Sequence, residues 1–300
     1  MGAQITNTVP YMNRTELLSY PLPLTIHNID KLNHFGRNGT NIFLTSAIDV
    51  REEPAFFDGV IPSATTHATE KAISCAIIIT DKGNGTLDAF YMYFYAYNMG
   101  NIVLWHELGD HIGDWEHNML RFVNGTPTEM WFSQHQNGQA FTYEAVEKIG
   151  KRPISYSARG SHANYAVPGT HDHTIPDFNS RYGFIRDYTS KGTLWDPTLS
   201  TYFYNYNTTS PLPPFESGRF ESIDNSPIAA MNFRGKWGDQ QYLPDDPRQK
   251  PKFFGFSKYV SGPTGPRDKQ LDRDRICPIT GFPCIVRKGL QVLKGREWEW

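Results

Sequence analysis

The clearest pattern in the chain is a strict alternation over residues 87–98. Tyr91, Tyr93, Tyr95 and Tyr97 fall on one side of it, and Phe90, Met92 and Phe94 on the other. A period of two is that of an extended strand, and two apolar or aromatic sides predict a strand covered on both faces. Residues 73–80 form a β-branched apolar run, and Asp81-Lys-Gly-Asn-Gly-Thr after them is a turn sequence. Together they predict an antiparallel hairpin. A second hairpin is predicted around Asn124-Gly125, with residues 115–123 leading in and 128–135 returning. Tyr143, Val146 and Ile149 stand at helical spacing ahead of Gly150, which predicts a short helix over 143–149. Residues 153–158 and 202–206 read as further short strands.

Residues 1–60 carry no regular pattern, and the chain from Gly262 is Gly/Pro-rich, then charged. The expectation is therefore one domain over 1–300. It comprises an irregular N-terminal segment (1–60), a mainly β core (61–260) and a C-terminal extension (261–300). The core is expected to be an antiparallel β-sandwich with one or two short helices and long loops.

Composition narrows the function classes. A chain of 300 residues with 39% hydrophobic and 20% charged positions is globular in character. Its formal charge of −2 supplies no basic field for nucleic acid. No apolar run reaches about 18 residues, so no transmembrane segment is expected. The N-terminus shows no secretory signal pattern, although Met1-Gly2 with Thr6 fits a short myristoylation pattern. Sequons at Asn13, Asn38, Asn84, Asn124 and Asn207 point mildly to a secretory route. Of the three cysteines, Cys277 and Cys284 are spaced for a local bridge, and Cys75 in its apolar run reads as a buried free thiol.

The candidate chemistry is concentrated in residues 106–123, which place three histidines and four carboxylates in their first twelve positions. In strand geometry Asp114, Glu116 and Asn118 share one face, while Trp115, His117, Met119 and Arg121 share the other. Gly113 allows a tight bend that lets His111 fold back over Asp114 and Glu116. Two carboxylates on one strand face repel unless a proton or cation lies between them. A carboxylate-rich site with one imidazole suits Ca²⁺, Mg²⁺ or Mn²⁺, so His111, Asp114 and Glu116 are the candidate metal ligands. The bland alternative is a polar strand end with ordinary salt bridges. Asp110, His106 and Glu107 are outer candidates.

Other histidines add weaker signals. His162 follows Ser161 in a loop after a strand, either a site residue or a surface histidine. Neighbours such as Ser161 and His162 rarely present both side chains to one point, and no Gly-x-Ser-x-Gly elbow is present. His171-Asp172-His173 puts two imidazoles on one side of an extended segment, readable as a clamp for the site but more readily as a solvated turn. His117 and His135 read as a core pair facing each other across the second hairpin. The tyrosine row reads as core before it reads as a ligand platform.

At these residues the chain resembles the fungal vacuolar protein sorting-associated protein 62 family. The resemblance rests on residues 87–101, then Gly109-Asp-His-Ile-Gly-Asp-Trp-Glu-His and Tyr143-Glu-Ala-Val-Glu-Lys-Ile-Gly-Lys-Arg-Pro. It continues through Ser157-Ala-Arg-Gly-Ser-His-Ala-Asn-Tyr-Ala, Pro168-Gly-Thr-His, Leu194-Trp-Asp-Pro-Thr-Leu, Trp237-Gly-Asp and Gly262-Pro-Thr-Gly-Pro-Arg. It implies a role in protein delivery to the vacuole, hence the vacuole or secretory pathway, and implies no particular reaction. Asp114-Trp-Glu is also similar to the end of the Gly-His-Arg-His-Asp-Trp-Glu heptapeptide of the necrosis- and ethylene-inducing-peptide-like proteins. That resemblance implies a β-sandwich with a divalent cation near the motif and recognition of sphingolipid headgroups. This chain departs from it: His111 sits one residue further away, and Gly113 stands where the second histidine would be.

Three readings follow. The first is a binding module in which a divalent cation orients a glycan or a membrane-lipid headgroup. The second is a metal-dependent hydrolase with Glu116 and His162 as acid and base. The third is a structural sorting factor without a ligand.

Overall fold

The computed structural model describes residues 23–174, 183–209, 218–250, 254–279 and 282–290. The Met1-Gly2 pattern and the Asn13 sequon lie outside them. The described chain is mostly β. In chain order its main strands are β1 (Cys75–Gly83), β2 (Thr86–Asn98), β3 (His111–Val123), β4 (Thr126–Gln134) and β5 (Asn137–Thr142). They are followed by β6 (Thr201–Asn207), β7 (Arg219–Ser222) and β8 (Val286–Arg287). Among the described residues these eight strands form one sheet in the spatial order β7-β6-β1-β2-β3-β4-β5-β8.

Strands joined by tight turns pair antiparallel, as predicted for both hairpins. Asn124 and Gly125 hold φ of 49° and 76° in the second turn, the left-handed pair such a hairpin needs. The sheet is mixed, however. β6 joins β1 in parallel and β8 joins β5 in parallel, because both arrive after long excursions and not through a hairpin.

β2 and β3 are the spine, paired from Thr86↔Val123 to Asn98↔His111. β3 begins at His111, four residues earlier than the hydrophobic run suggests. The alternation sorts the two strands as predicted. One face carries Phe90, Met92, Trp115 and Met119, all in the main core. Ile29, Leu32, Ile42, the short α-helix Ile228–Asn232, Leu271 and Ile276 pack over it. The N-terminal segment and the C-terminal extension therefore close the core and are not mere appendages. Each large side chain buried there contributes about 1.5–3 kcal/mol. Asp88 and Arg121 stand opposite each other on β2 and β3 and form a two-pronged ion pair, with both contacts at 2.7 Å. Arg121 also donates to the Asp274 carbonyl and so ties the C-terminal segment to the sheet. Cys277 and Cys284 form a disulfide, and Cys75 is a buried free thiol.

The other face carries the tyrosine row against Asp114, Glu116 and Asn118. Its covering layer is not a second large sheet. It consists of small ladders, Tyr156–Ser157 with Asn164–Tyr165 and Gly169–Asp172 with Arg186–Thr189, plus the turn after β5. That turn corrects the helix expected over 143–149. Only Tyr143–Ala145 is helical, as a 3₁₀ turn, and Lys148–Ile149 then pairs with Arg152–Pro153. Tyr143 and Val146 are buried but Ile149 is exposed, so the helical spacing had no third anchor.

Candidate functional site

The register of β2 and β3 sets the floor of the site. Tyr95 stands opposite Asp114, Tyr93 opposite Glu116 and Tyr91 opposite Asn118. Tyr93 donates its hydroxyl proton to Asn118 Oδ1 at 3.0 Å. The start of β3 is fixed by two close backbone approaches. Gly113 has φ +66°, and a Cβ there would collide with the Trp237 carbonyl oxygen. A Cβ on Gly238 would collide with the Ile112 carbonyl oxygen in turn. This explains the Trp237-Gly-Asp motif: Trp237 locks edge-on against Trp115, with ring centroids 5.5 Å apart, and its neighbour needs no side chain.

His162 reaches this floor from the Ser157–Asn164 turn. Ala158 donates its N–H to the Ala163 carbonyl, and His162 donates its own to the Ala158 carbonyl. Gly160 and His162 hold φ of 84° and 58°. The imidazole lies flat on Tyr95, with centroids 3.8 Å apart and planes 4° apart. Its Nδ1 is 3.2 Å from Asp114 Oδ2. A ring stacked on one side and bonded through one nitrogen has a fixed orientation. Ser157, Tyr95 and His162 keep contact with solvent, whereas Asp114 and Glu116 are buried beneath them.

Glu116 is only 6% exposed. Burial first, and the charge of Asp114 second, push its carboxyl well above the usual range, against opposing effects of Lys269 and Ser133. Its Oε2 has no hydrogen-bond partner among the described residues. A buried carboxyl raised in this way, with one free oxygen, is suited to donate a proton or to receive a cation in its place. His111 turns its Nδ1 to the Gly113 carbonyl at 2.7 Å. Burial lowers its pKa, and the charge of Asp114 is the largest effect in the other direction.

A second cluster adjoins the first. Asp187, 1% exposed, lies on the Arg186–Thr189 strand. Its Oδ1 accepts from Ser161 Oγ at 2.6 Å and Asn101 Nδ2 at 3.2 Å. Its Oδ2 accepts from Tyr165 at 2.7 Å and lies 2.8 Å from His135 Nε2 and 3.6 Å from His173 Nε2. Burial pushes Asp187 up, but the His135 contact and the charges around it prevail and leave it well below the ordinary carboxylate range. Loss of water lowers His135, but its Asp187 bond and charge raise it overall. Burial takes His171 and His173 down to about 4. The ligand atoms of His135, His173 and Asp187 all lie within 4.8 Å of one another, a geometry able to hold a metal ion.

Several expectations change here. His171-Asp172-His173 is no solvated turn: His171 and Asp172 are buried in the ladder, and His171 stacks on Tyr165 with centroids 3.8 Å apart. His117 and His135 are not a pair. His117 is sealed into the main-core face with both ring nitrogens unbonded, and burial drives its pKa well down. Ser161 and His162 part company as expected, one to Asp187 and the other to Asp114. Asp110 accepts the Gly100 N–H at 2.8 Å, and burial takes it up to about 7. Glu107 pairs with Lys258 at 3.0 Å. No local motif marks Asp187, and the hairpin pattern points His135 toward His117 and not toward Asp187. Asp187 sits in an unremarkable strand, and His135 holds φ +56° in the turn between β4 and β5, where the alternation ends.

A family model described as vacuolar protein sorting-associated protein 62 matches residues 95–184, which contain Asp114, Glu116 and His162 and, from the second cluster, His135 and His173 but not Asp187. Vacuolar protein sorting-associated protein 62 of Saccharomyces cerevisiae is 37% identical over 253 residues, covering 78% of this chain and 52% of its own length. The TDA6 protein of the same yeast, named among the vacuolar protein sorting-associated proteins, is 38% identical over 282 residues. That match covers 85% of this chain and 58% of the relative. The chain thus spans a little over half the length of these curated relatives. No solved structure matches it. The family match and the two yeast relatives agree with the motifs along the chain, which belongs to the vacuolar protein sorting-associated protein 62 family.

Proposed function

We propose that this chain serves vacuolar protein sorting by binding a hydroxyl-rich ligand, a glycan or a glycolipid headgroup, at the face formed by Tyr95, Asp114, Glu116 and His162. A divalent cation would be held at Asp114 and Glu116, with His111 at its edge. The observation that carries the reading is the His162–Asp114 pair above a buried Glu116 with an unbonded oxygen. A protein that needed only a stable sheet would gain by replacing a buried, raised carboxyl with an apolar side chain. The imidazole of His162, held flat by Tyr95 beneath it, offers a stacking surface, and the free carboxyl oxygen of Glu116 offers a hydrogen-bonding group, which together suit a sugar ring. Carboxylate oxygens in this number favour Ca²⁺, Mg²⁺ or Mn²⁺ there. The names of the yeast relatives support a place in the vacuolar or secretory route, and no helix of the described residues is long and apolar enough to cross a membrane.

A glycan and lipid-headgroup array, probed with the purified chain and with Asp114→Asn, tests this. Binding that disappears in the variant supports it; an array blank for the wild type sinks it and favours a sorting factor without such a ligand.

One observation favours a hydrolase as the second reading. Glu116 is raised and His162 is oriented by a carboxylate, the division of roles that acid–base catalysis requires. Turnover of an array hit, lost in Glu116→Gln while binding persists, would select it.

A further inference from the structure

We propose that His135, His173 and Asp187 form a binding site for a borderline divalent transition ion, zinc first among them, separate from the Asp114–Glu116 pair. Three elements distant in sequence bring the ligands together: the turn after β4, the end of the Gly169–Asp172 strand, and the Arg186–Thr189 strand that pairs with it. The two imidazole Nε2 atoms lie 2.8 Å and 3.6 Å from the same oxygen, Asp187 Oδ2. Bonds of about 2.0–2.1 Å in a tetrahedral zinc site set ligand atoms about 3.3 Å apart. The observed separations straddle that value.

Two further features distinguish this from an ordinary His–Asp ion pair. An ion pair needs one imidazole, yet a second one, His173, is stacked beside the first at 4.2 Å and aims a buried Nε2 that makes no hydrogen bond. Asp187 is braced from behind by Ser161, Asn101 and Tyr165, the kind of outer support that orients metal-bound carboxylates. Two imidazoles and one carboxylate select zinc, cobalt, manganese or iron over calcium and magnesium. His135 is open to solvent on one side, which gives an ion a way in.

The test uses the full chain stripped with a chelator, then titrated with Zn²⁺, Co²⁺, Ca²⁺ and Mg²⁺. One equivalent of Co²⁺ should bring visible absorption bands, and Zn²⁺ at a hundredfold excess over its Kd should raise Tm by about 5 °C. Ca²⁺ and Mg²⁺ in excess should not displace Co²⁺ or diminish its bands. His173→Ala, and His173→Gln as the variant closer in shape, should lose the Co²⁺ bands, while Asp114→Asn and Glu116→Gln keep them. Wild-type protein with no Co²⁺ bands and no Zn²⁺ shift would overturn the proposal, whatever the variants do. Bands that survive both His173 variants and vanish in Asp114→Asn would overturn it too, by assigning the ion to the other cluster.

Discussion

His162 Nδ1 meets Asp114 Oδ2 at 3.2 Å across 48 residues of chain, with the imidazole lying flat on Tyr95. The stack and the polar contact are separable. His162→Phe keeps a ring for Tyr95 but leaves Asp114 buried without its partner, at a cost of about 1–3 kcal/mol. Pairing it with Asp114→Asn should recover much of that loss. A double-mutant cycle on thermal or urea unfolding should give a coupling of about 1 kcal/mol or more, and additive losses would show that the contact contributes nothing.

Glu116→Gln should make the protein more stable at neutral pH and less able to bind ligand. The folded-state pKa of Glu116 is raised by burial and by Asp114, so the folded protein holds a proton that the unfolded chain releases. Wild-type stability therefore falls as pH rises above the unfolded value of about 4.3, by up to about 1.4 kcal/mol per pH unit, until the folded group ionises. Gln carries no such cost. In chelator, the Tm advantage of the variant should grow from pH 4 to pH 7; a constant difference would mean that Glu116 is not raised.

Asp187→Asn should destabilise by about 3 kcal/mol, since it removes the negative counterion of His135 and turns one of two accepting oxygens into an NH2, so that either Tyr165 or Ser161 and Asn101 lose their acceptor. Asp187 is depressed, so its stabilisation is present above the unfolded carboxylate pKa of about 3.9 and is lost as pH falls through the folded value. His135 is raised, so its share is full below about 6.5 and lost as pH rises through its folded value. The gap between wild type and variant, measured by urea unfolding without metal, should be widest at about pH 4.5–6.5. A gap that widens steadily toward pH 8 would contradict the pairing.

Gly113→Ala should cost well over 2 kcal/mol. The residue holds φ +66°, and the added methyl would meet the Trp237 carbonyl oxygen, backbone that cannot swing aside. Near-wild-type melting would show that the Trp237 segment is not seated against β3.

What was legible in the chain followed from period two. Tyr91, Tyr93 and Tyr95 and the Asp114–Glu116–Asn118 row each sort to one face by alternation alone, and a tight turn at Asn124-Gly125 fixes which strand pairs with which. The contacts that complete the site are different in kind. His162, Asp187 and His135 are placed by ladders packed over the sheet, and nothing within a few residues of Asp187 encodes that Ser161, Tyr165 and His135 will converge on it. His117 shows the converse. It lies in the densest polar stretch, yet parity sends it into the apolar core, where its nitrogens find no partner. Tyr143, Val146 and Ile149 show how a three-residue spacing misleads when only two positions are buried.

Ligand binding at the Asp114 face is best measured by calorimetric titration of the strongest array hit into wild-type protein and Asp114→Asn, with and without chelator. Affinity should fall at least tenfold in the variant, about 1.4 kcal/mol or more, and fall likewise for wild type in chelator. Equal affinities in the two proteins, or an array that yields no hydroxyl-rich ligand to titrate, would contradict a binding role for this site.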